Sequence, residues 1–343
     1  MIEGFPNKRR RNCETGVFAN MAEYYGMQIS EPLVFGIGSG IYFVYSPHMQ
    51  IRKIVYPILR TQPCSIVMHA ARRLRLGYHG TQFKNDEDRA MLELDKLLQK
   101  QIPTAVVVNV NGLQYFNVSG METDFNGHVF TVIGKENSDY LVADTDNRLI
   151  NDDFVTVSES LMRKIRFASG FSAPDGEMFY LDPIPEHYSL ESVLREALLS
   201  GLRQTCQRML DIPLDYYGCK GFHYFARDIR EWDKKCSQKE IKYILMWYYR
   251  LFERTGTGGA GYRFIYADFL KEMAEMYQDE WMGDCALKMS ETADLWRQFS
   301  LCSRRFLKGE EVTLDDMADI MDAIGDNEFL VFSQIRDKVL RND

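Results

Sequence analysis

The chain has 343 residues, of which 45% are hydrophobic and 26% charged, and its formal net charge is −8. That length exceeds one comfortable hydrophobic core and suits two domains, and the composition excludes a disordered chain. The negative balance gives no general attraction to nucleic acid or to an anionic membrane surface.

The first predicted element is a helix from Asn12 to Gly26. Val17, Phe18, Met21, Ala22 and Tyr25 recur at helical spacing, and Gly26 stands where a left-handed cap belongs. Cys13 falls at the N-terminal end, where unpaired backbone N–H groups and the positive end of the helix dipole favour thiolate over thiol. Arg9, Arg10 and Arg11 act in the same direction. Taken alone, Cys13 also reads as a small buried hydrophobe near a helix start.

Between Met27 and Phe43, Ser30-Glu31-Pro32 opens a turn or short helix, and Gly36, Gly38 and Gly40 alternate before the strand-like Ile41 to Tyr45. A dinucleotide fingerprint follows a strand and opens a helix. Here the order is reversed, so these glycines are expected to let the backbone pass close to the first helix, as part of the floor of the site. Cys64 and His69 form a rival nucleophile and base, but no carboxylate is placed behind His69, and packing is the expected role of both. Ala70 to Gly77 is a helix ending at glycine, and Asn85 to Lys100 is an amphipathic helix with Met91, Leu92, Leu94, Leu97 and Leu98 on its buried side. Thr104 to Val110 is a β-branched run that reads as a strand buried on both faces. The stretch Asn111 to Gly127, with Tyr115, Asp124 and Asn126, reads either as one wall of a cleft or as a plain surface loop.

His128 to Asp144 reads as a hairpin. With its turn centred near Glu136, His128 and Asp144 are cross-strand neighbours, which is what a general base needs: one ring nitrogen oriented by a carboxylate, the other free to take a proton from a thiol. A slip of one residue would turn the carboxylate to the opposite sheet face. Phe179 to Leu181 adds a further strand. Asp182 to His187, with two prolines, is the expected linker between a catalytic domain (1–181) and a helical domain (188–343). Past it, helices are predicted over Leu190–Met209, Phe222–Trp232, Gln238–Arg254, Phe264–Tyr277, Met282–Leu307 and Leu314–Arg341. The loop from Thr255 to Arg263 has the composition of an anion cradle but lacks the lysine and hydroxyl of a P-loop, so glycines with positive φ are the expected explanation. Trp232, Trp247, Tyr248, Tyr249, Trp281 and Trp296 are expected as core or inter-domain contacts.

The cysteine helix, the later histidine strand and the aspartate beyond it resemble the papain-like fold of the double-glycine leader peptidases. More closely, Cys13-Glu14-Thr15, Tyr24-Tyr25-Gly26, Ser30-Glu31-Pro32 and Phe35-Gly36-Ile37-Gly38-Ser39-Gly40-Ile41 resemble the N-terminal domain of the butirosin biosynthesis protein H family, and the second half resembles the uncharacterised helical domain that usually follows. The resemblance implies an α+β fold of papain-like type, with the N-terminal helix on a mainly antiparallel sheet, followed by an all-α domain. It implies Cys13, His128 and Asp144 as a catalytic triad that moves an acyl group from a carrier-protein thioester to an amine. Papain-like enzymes draw an oxyanion donor from a glutamine six residues before the cysteine; here that position is Asn7, a candidate beside the Cys13 backbone N–H. Two positions depart from the families: Asn12 stands where the butirosin-type pattern often has histidine, and Thr145 where the peptidases have proline.

No cofactor or metal is expected; phosphopantetheine would arrive on an acyl carrier protein, and Arg9 to Arg11 are the candidate surface for docking it. The other partner is a small amine, and homo-oligomerisation is left open. A cysteine peptidase or amidase using the same triad is the alternative, since it differs only in whether water or an amine arrives second. A catalytically silent binding module is a third reading. Seven cysteines without metal-ligand spacing or a disulfide pattern, no apolar run near eighteen residues and no apolar stretch after the basic residues at the start lead to the expectation of a cytoplasmic protein.

Overall fold

The computed structural model describes residues 1–51, 54–116, 124–146, 154–253 and 257–340. From the start of the chain come α1 (Cys13–Tyr24), α2 (Glu31–Ile37), β1 (Ile41–Val44), β2 (Gln50–Ile51), β3 (Ile54–Val55), β4 (Ile58–Arg60), α3 (Ser65–Arg73) and β5 (Tyr78–Thr81). Next are α4 (Glu87–Gln99), β6 (Thr104–Asn109), β7 (Asn126–Glu136), β8 (Asp139–Ala143), β9 (Val155–Ser158), α5 (Glu159–Arg166) and β10 (Met178–Leu181). The remainder is helical: α6 (Leu190–Cys206), α7 (Gly218–Arg230), α8 (Trp232–Lys235), α9 (Gln238–Glu253), α10 (Arg263–Tyr277), α11 (Glu280–Lys308) and α12 (Leu314–Leu340). The fold is thus α+β with a helical C-terminal part, as the resemblance implied.

Two compact units emerge, one of Met1–Val34 with Pro63–Leu194, the other of Phe35–Gln62 with Arg195–Asp343. In the first, β5, β10, β6, β7, β8 and β9 lie side by side in that order, and every adjacent pair is antiparallel. All six residues of β6 are buried, as its β-branched run predicts, because helices α1, α4 and α5 pack on the sheet. Helix α1 is started by Asn12, whose Oδ1 accepts the N–H of Thr15 at 3.0 Å, and it is followed by Gly26 at φ 85°. Every residue from Cys13 to Ala22 is buried, so this helix runs through the middle of its unit and its apolar spacing understated its burial. Strand β9 and helix α5 are elements that the sequence pattern did not single out; Ser158 caps α5 by accepting the N–H of Leu161 at 3.3 Å.

The units differ from the expected division: residues 35–62 group with the C-terminal helices, and the proline stretch 182–187 lies inside the first unit, so the compact units do not follow the expected cut between 1–181 and 188–343. The reason is aromatic. Phe43 stacks on Phe222 with ring centroids 3.8 Å apart, Tyr45 stacks on Phe225 at 4.2 Å, and the Tyr45 hydroxyl donates to Asp228 Oδ2 at 2.8 Å. A Cβ on Gly36 would collide with the ring of Phe269, so this glycine serves close packing within the second unit.

The glycine loop before α10 is the other case. Thr255 and Gly256 lie outside the described residues; from Gly258 to Tyr262 five consecutive residues have positive φ, between 51° and 87°. Arg263, which ends the loop, is fully buried and directed to Glu328, Nε to Oε1 at 2.7 Å and Nη2 to Oε2 at 3.2 Å, with the Trp296 ring beneath it. An internal carboxylate therefore occupies the arginine that an external anion would need. Trp232, Tyr248 and Trp296 are buried core residues. No disulfide joins any of the seven cysteines, and among the described residues no helix is long and apolar enough to cross a membrane.

Candidate active site

Cys13 is the first residue of α1, His128 the third of β7, and Asp144 directly follows β8. All three belong to the first unit, and the structure brings them together. His128 Nε2 lies 2.8 Å from Asp144 Oδ2, and the Cys13 side chain is near enough to the imidazole to favour its protonated form. Since Nε2 faces the carboxylate, Nδ1 is the ring nitrogen left for sulfur. His128 is 1% exposed and Asp144 2%.

The hairpin reaches this geometry by a register other than the one expected. Glu136 pairs with Asp139 across a two-residue turn whose Asn137 has φ 56°, and an irregularity between Val132 and Gly134 shifts the inner pairs to Val132–Val142 and Thr131–Ala143. Continued inward, that register sets Asp144 opposite Phe130, two residues from His128. A displacement of two keeps both side chains on one face, and the pair meets diagonally where direct opposition was expected.

Asp144 is held at both oxygens. Oδ2 also accepts the phenol of Tyr115 at 2.5 Å, and Oδ1 accepts the N–H of Asp146 at 2.9 Å. Burial pushes its carboxyl up, but the His128 charge and the three donors outweigh this and hold it below the usual carboxylate range. For His128, burial opposes the imidazolium; Asp144 and Cys13 more than offset it, and the ring stays protonated well above the usual histidine range. Phe116 meets the imidazole edge-on, with centroids 4.9 Å apart, and Phe125 lies at 6.5 Å, which shields the pair from water. Of the stretch 111–127, Tyr115, Phe116 and Phe125 thus do line the site; residues 117–123 lie outside the described ones. Asn126 and Asp124 instead accept from Asn109 Nδ2, at 2.7 and 2.8 Å.

The turn that carries Cys13 is braced from behind by the acid of the Ser30-Glu31-Pro32 motif. Glu31, 5% exposed, accepts the N–H of Asn12 at 2.6 Å and that of Arg11 at 3.0 Å, and lies 3.3 Å from the Thr15 hydroxyl. Its pKa is raised by burial, against the pull of these donors. The available signal was an acid within a stretch that is otherwise nearly all apolar.

The remaining candidates fare differently. Phe5 packs on Tyr24, ring centroids 5.5 Å apart, and the carbonyl of Lys8 accepts from Asn20 Nδ2 at 3.2 Å. Asn7 therefore runs beside the C-terminal half of α1, about 10 Å along the helix axis from Cys13. That placement argues against Asn7 as oxyanion donor, because residues 5–8 run back along the helix and not across its N-terminus; the Cys13 N–H is the candidate that keeps its position. Arg10 is tied to Asn20 Oδ1 by Nε at 3.2 Å and Nη2 at 3.1 Å, with Glu23 at 3.6 Å, whereas Arg9 and Arg11 are exposed. Cys64 is buried with φ 61° and hydrogen-bonded to Glu177, whose carboxyl burial raises to about 7. Among the described residues no group of three or more His, Cys, Asp and Glu side chains is arranged to hold a metal ion.

Residues 12–145 match a family model described as butirosin biosynthesis protein H, N-terminal, and residues 160–335 match one described as a domain of unknown function (DUF4872). The first span starts at the cap of α1 and ends one residue past Asp144, so it contains Cys13, His128 and Asp144. No curated protein is similar enough to the chain to count as a match.

Proposed function

The chain belongs to the butirosin biosynthesis protein H family, which makes it kin to a biosynthetic protein, and from that premise we propose that it is a cysteine-dependent acyltransferase of specialised metabolism. The observation that carries the reading is the buried contact of His128 Nε2 with Asp144 Oδ2 at 2.8 Å, with the Cys13 side chain near enough to the same imidazole to act on its charge. The Cys13 thiolate attacks the carbonyl carbon of a thioester; the donor's carbon–sulfur bond breaks, and the departing thiolate takes a proton from the His128 imidazolium. A neutral amine then attacks the acyl carbon and gives a proton to His128, the bond from that carbon to the Cys13 sulfur breaks, and the amide leaves with Cys13 as thiolate and His128 as imidazolium, ready for the next donor. The N–H of Cys13 is the candidate for holding the oxyanion in both halves. Phosphopantetheine on an acyl carrier protein is the proposed donor and a small amine the acceptor, in the reducing setting of the cytoplasm that suits a free thiol.

Intact-mass measurement after incubation with candidate thioesters tests the first half: an acyl adduct is expected on the wild-type chain and none on Cys13→Ala. Product analysis with mixed amines tests the second. Free acid alone, at every amine tried, would assign hydrolysis by the same residues. Reversing Arg9 and Arg11 to glutamate is expected to weaken use of a carrier-bound donor more than use of a small thioester, with the difference fading at high salt. Equal losses with both donors would remove these arginines from docking.

A further inference from the structure

Two donors converge on one oxygen of Asp144: His128 Nε2 at 2.8 Å and the Tyr115 hydroxyl at 2.5 Å, while the other oxygen is pinned by the N–H of Asp146 at 2.9 Å. Tyr115 is 2% exposed, in the short turn Gln114–Phe116. A carboxylate restrained from three directions cannot rotate, so its angle to the imidazole is fixed before any substrate arrives. The shared oxygen also divides its charge. What the phenol draws from Oδ2 is not available to stabilise the imidazolium. Among the described residues, the charged and titratable groups facing the pair are Cys13 from α1, Tyr115 from the turn and Asp146 beyond β8; Phe116, Phe125 and Phe130 contribute neutral rings.

We propose that Tyr115 is a positioning residue, acting through Asp144, that fixes the carboxylate against His128 and limits how tightly the imidazolium holds its proton. Burial, and then the Asp144 charge, push the Tyr115 phenol well above its ordinary range, so it remains a donor at any working pH. Its purpose rests on the acyl-transfer reading, because a proton held too firmly by His128 is released slowly to the leaving thiolate. Its effect on the titration of His128 does not.

The test is carbon-13 NMR titration of histidine rings in the full chain, with the His128 signal assigned by its loss in His128→Gln. Wild type, Tyr115→Phe, Asp144→Asn and the double variant are compared. In Tyr115→Phe, His128 is expected to lose its proton at higher pH than in wild type, and kcat with a small thioester to fall roughly tenfold with KM nearly unchanged. In the Asp144→Asn background the same substitution should change neither quantity. Should Tyr115→Phe fail to fold, uniform 3-fluorotyrosine labelling probes the contact without a substitution: a more acidic phenol donates more strongly, so His128 must deprotonate at lower pH. An unmoved or oppositely moved titration overturns the proposal, as does an equal effect with Asp144 already replaced. A chain that forms no acyl adduct but shows the predicted titrations would instead sink the acyltransferase reading and keep this one.

Discussion

His128 and Asp144 share one contact, so their opposite pKa displacements describe a single stabilising interaction. His128 holds its proton above the usual range; its contribution is complete below the unfolded value of about 6.5 and is lost as pH rises through the folded value. Asp144 is displaced downward; its contribution is complete above about 3.9 and is lost as pH falls through the folded value. Both conditions hold together between about pH 4 and 6.5. The melting temperature of the wild type minus that of Asp144→Asn is therefore expected to peak in that window and to shrink on either side, read by calorimetry across pH. A difference that is flat from acid to alkaline pH would contradict the buried pair as described.

At the scale of elements, the start of α1 depends on Glu31. In Glu31→Gln one oxygen must serve two N–H groups, and the new amide N–H₂ turns a donor toward donors. A loss of about 1–3 kcal/mol in urea unfolding is expected, because buried backbone donors are left short of an acceptor. The β7–β8 turn gives a second case. Asn137 holds φ 56°, which alanine adopts at a cost, so Asn137→Ala should destabilise by about 1 kcal/mol while Asn137→Gly is near neutral. These elements also show what sequence could reveal. The second-half helices were legible within a few residues, because glycines and helical spacing mark their ends; α10 and α11 start one and two residues before the predicted Phe264 and Met282. The hairpin was legible only to its parity, since the turn at Asn137–Ser138 and the irregularity after Val132 leave no mark in the hydrophobic pattern. Tyr115 and Glu31 were visible as residues but not in their roles, since each meets its partner, Asp144 or the turn before Cys13, only through tertiary packing.

For the molecule as a whole, the division into units was the least legible feature. Prolines at 183 and 185 gave a convincing linker, yet what decides membership is where apolar side chains find partners, and Phe43 and Tyr45 find theirs on α7. A chain ending at residue 181 is expected to aggregate or to be cleaved by protease within 35–62, since that segment would be severed from Phe222, Phe225 and Asp228; a monomeric, protease-resistant fragment would show that the segment does not depend on them.

The same interleaving imposes an order on synthesis. Ile41, Phe43 and Tyr45 leave the ribosome early, while the α7 residues that cover Phe43 and Tyr45 follow about ten to forty seconds later at ordinary elongation rates. During that interval a nascent chain carries an uncovered apolar segment between two parts of a unit that can already close, which makes it a natural client for a chaperone at the exit tunnel.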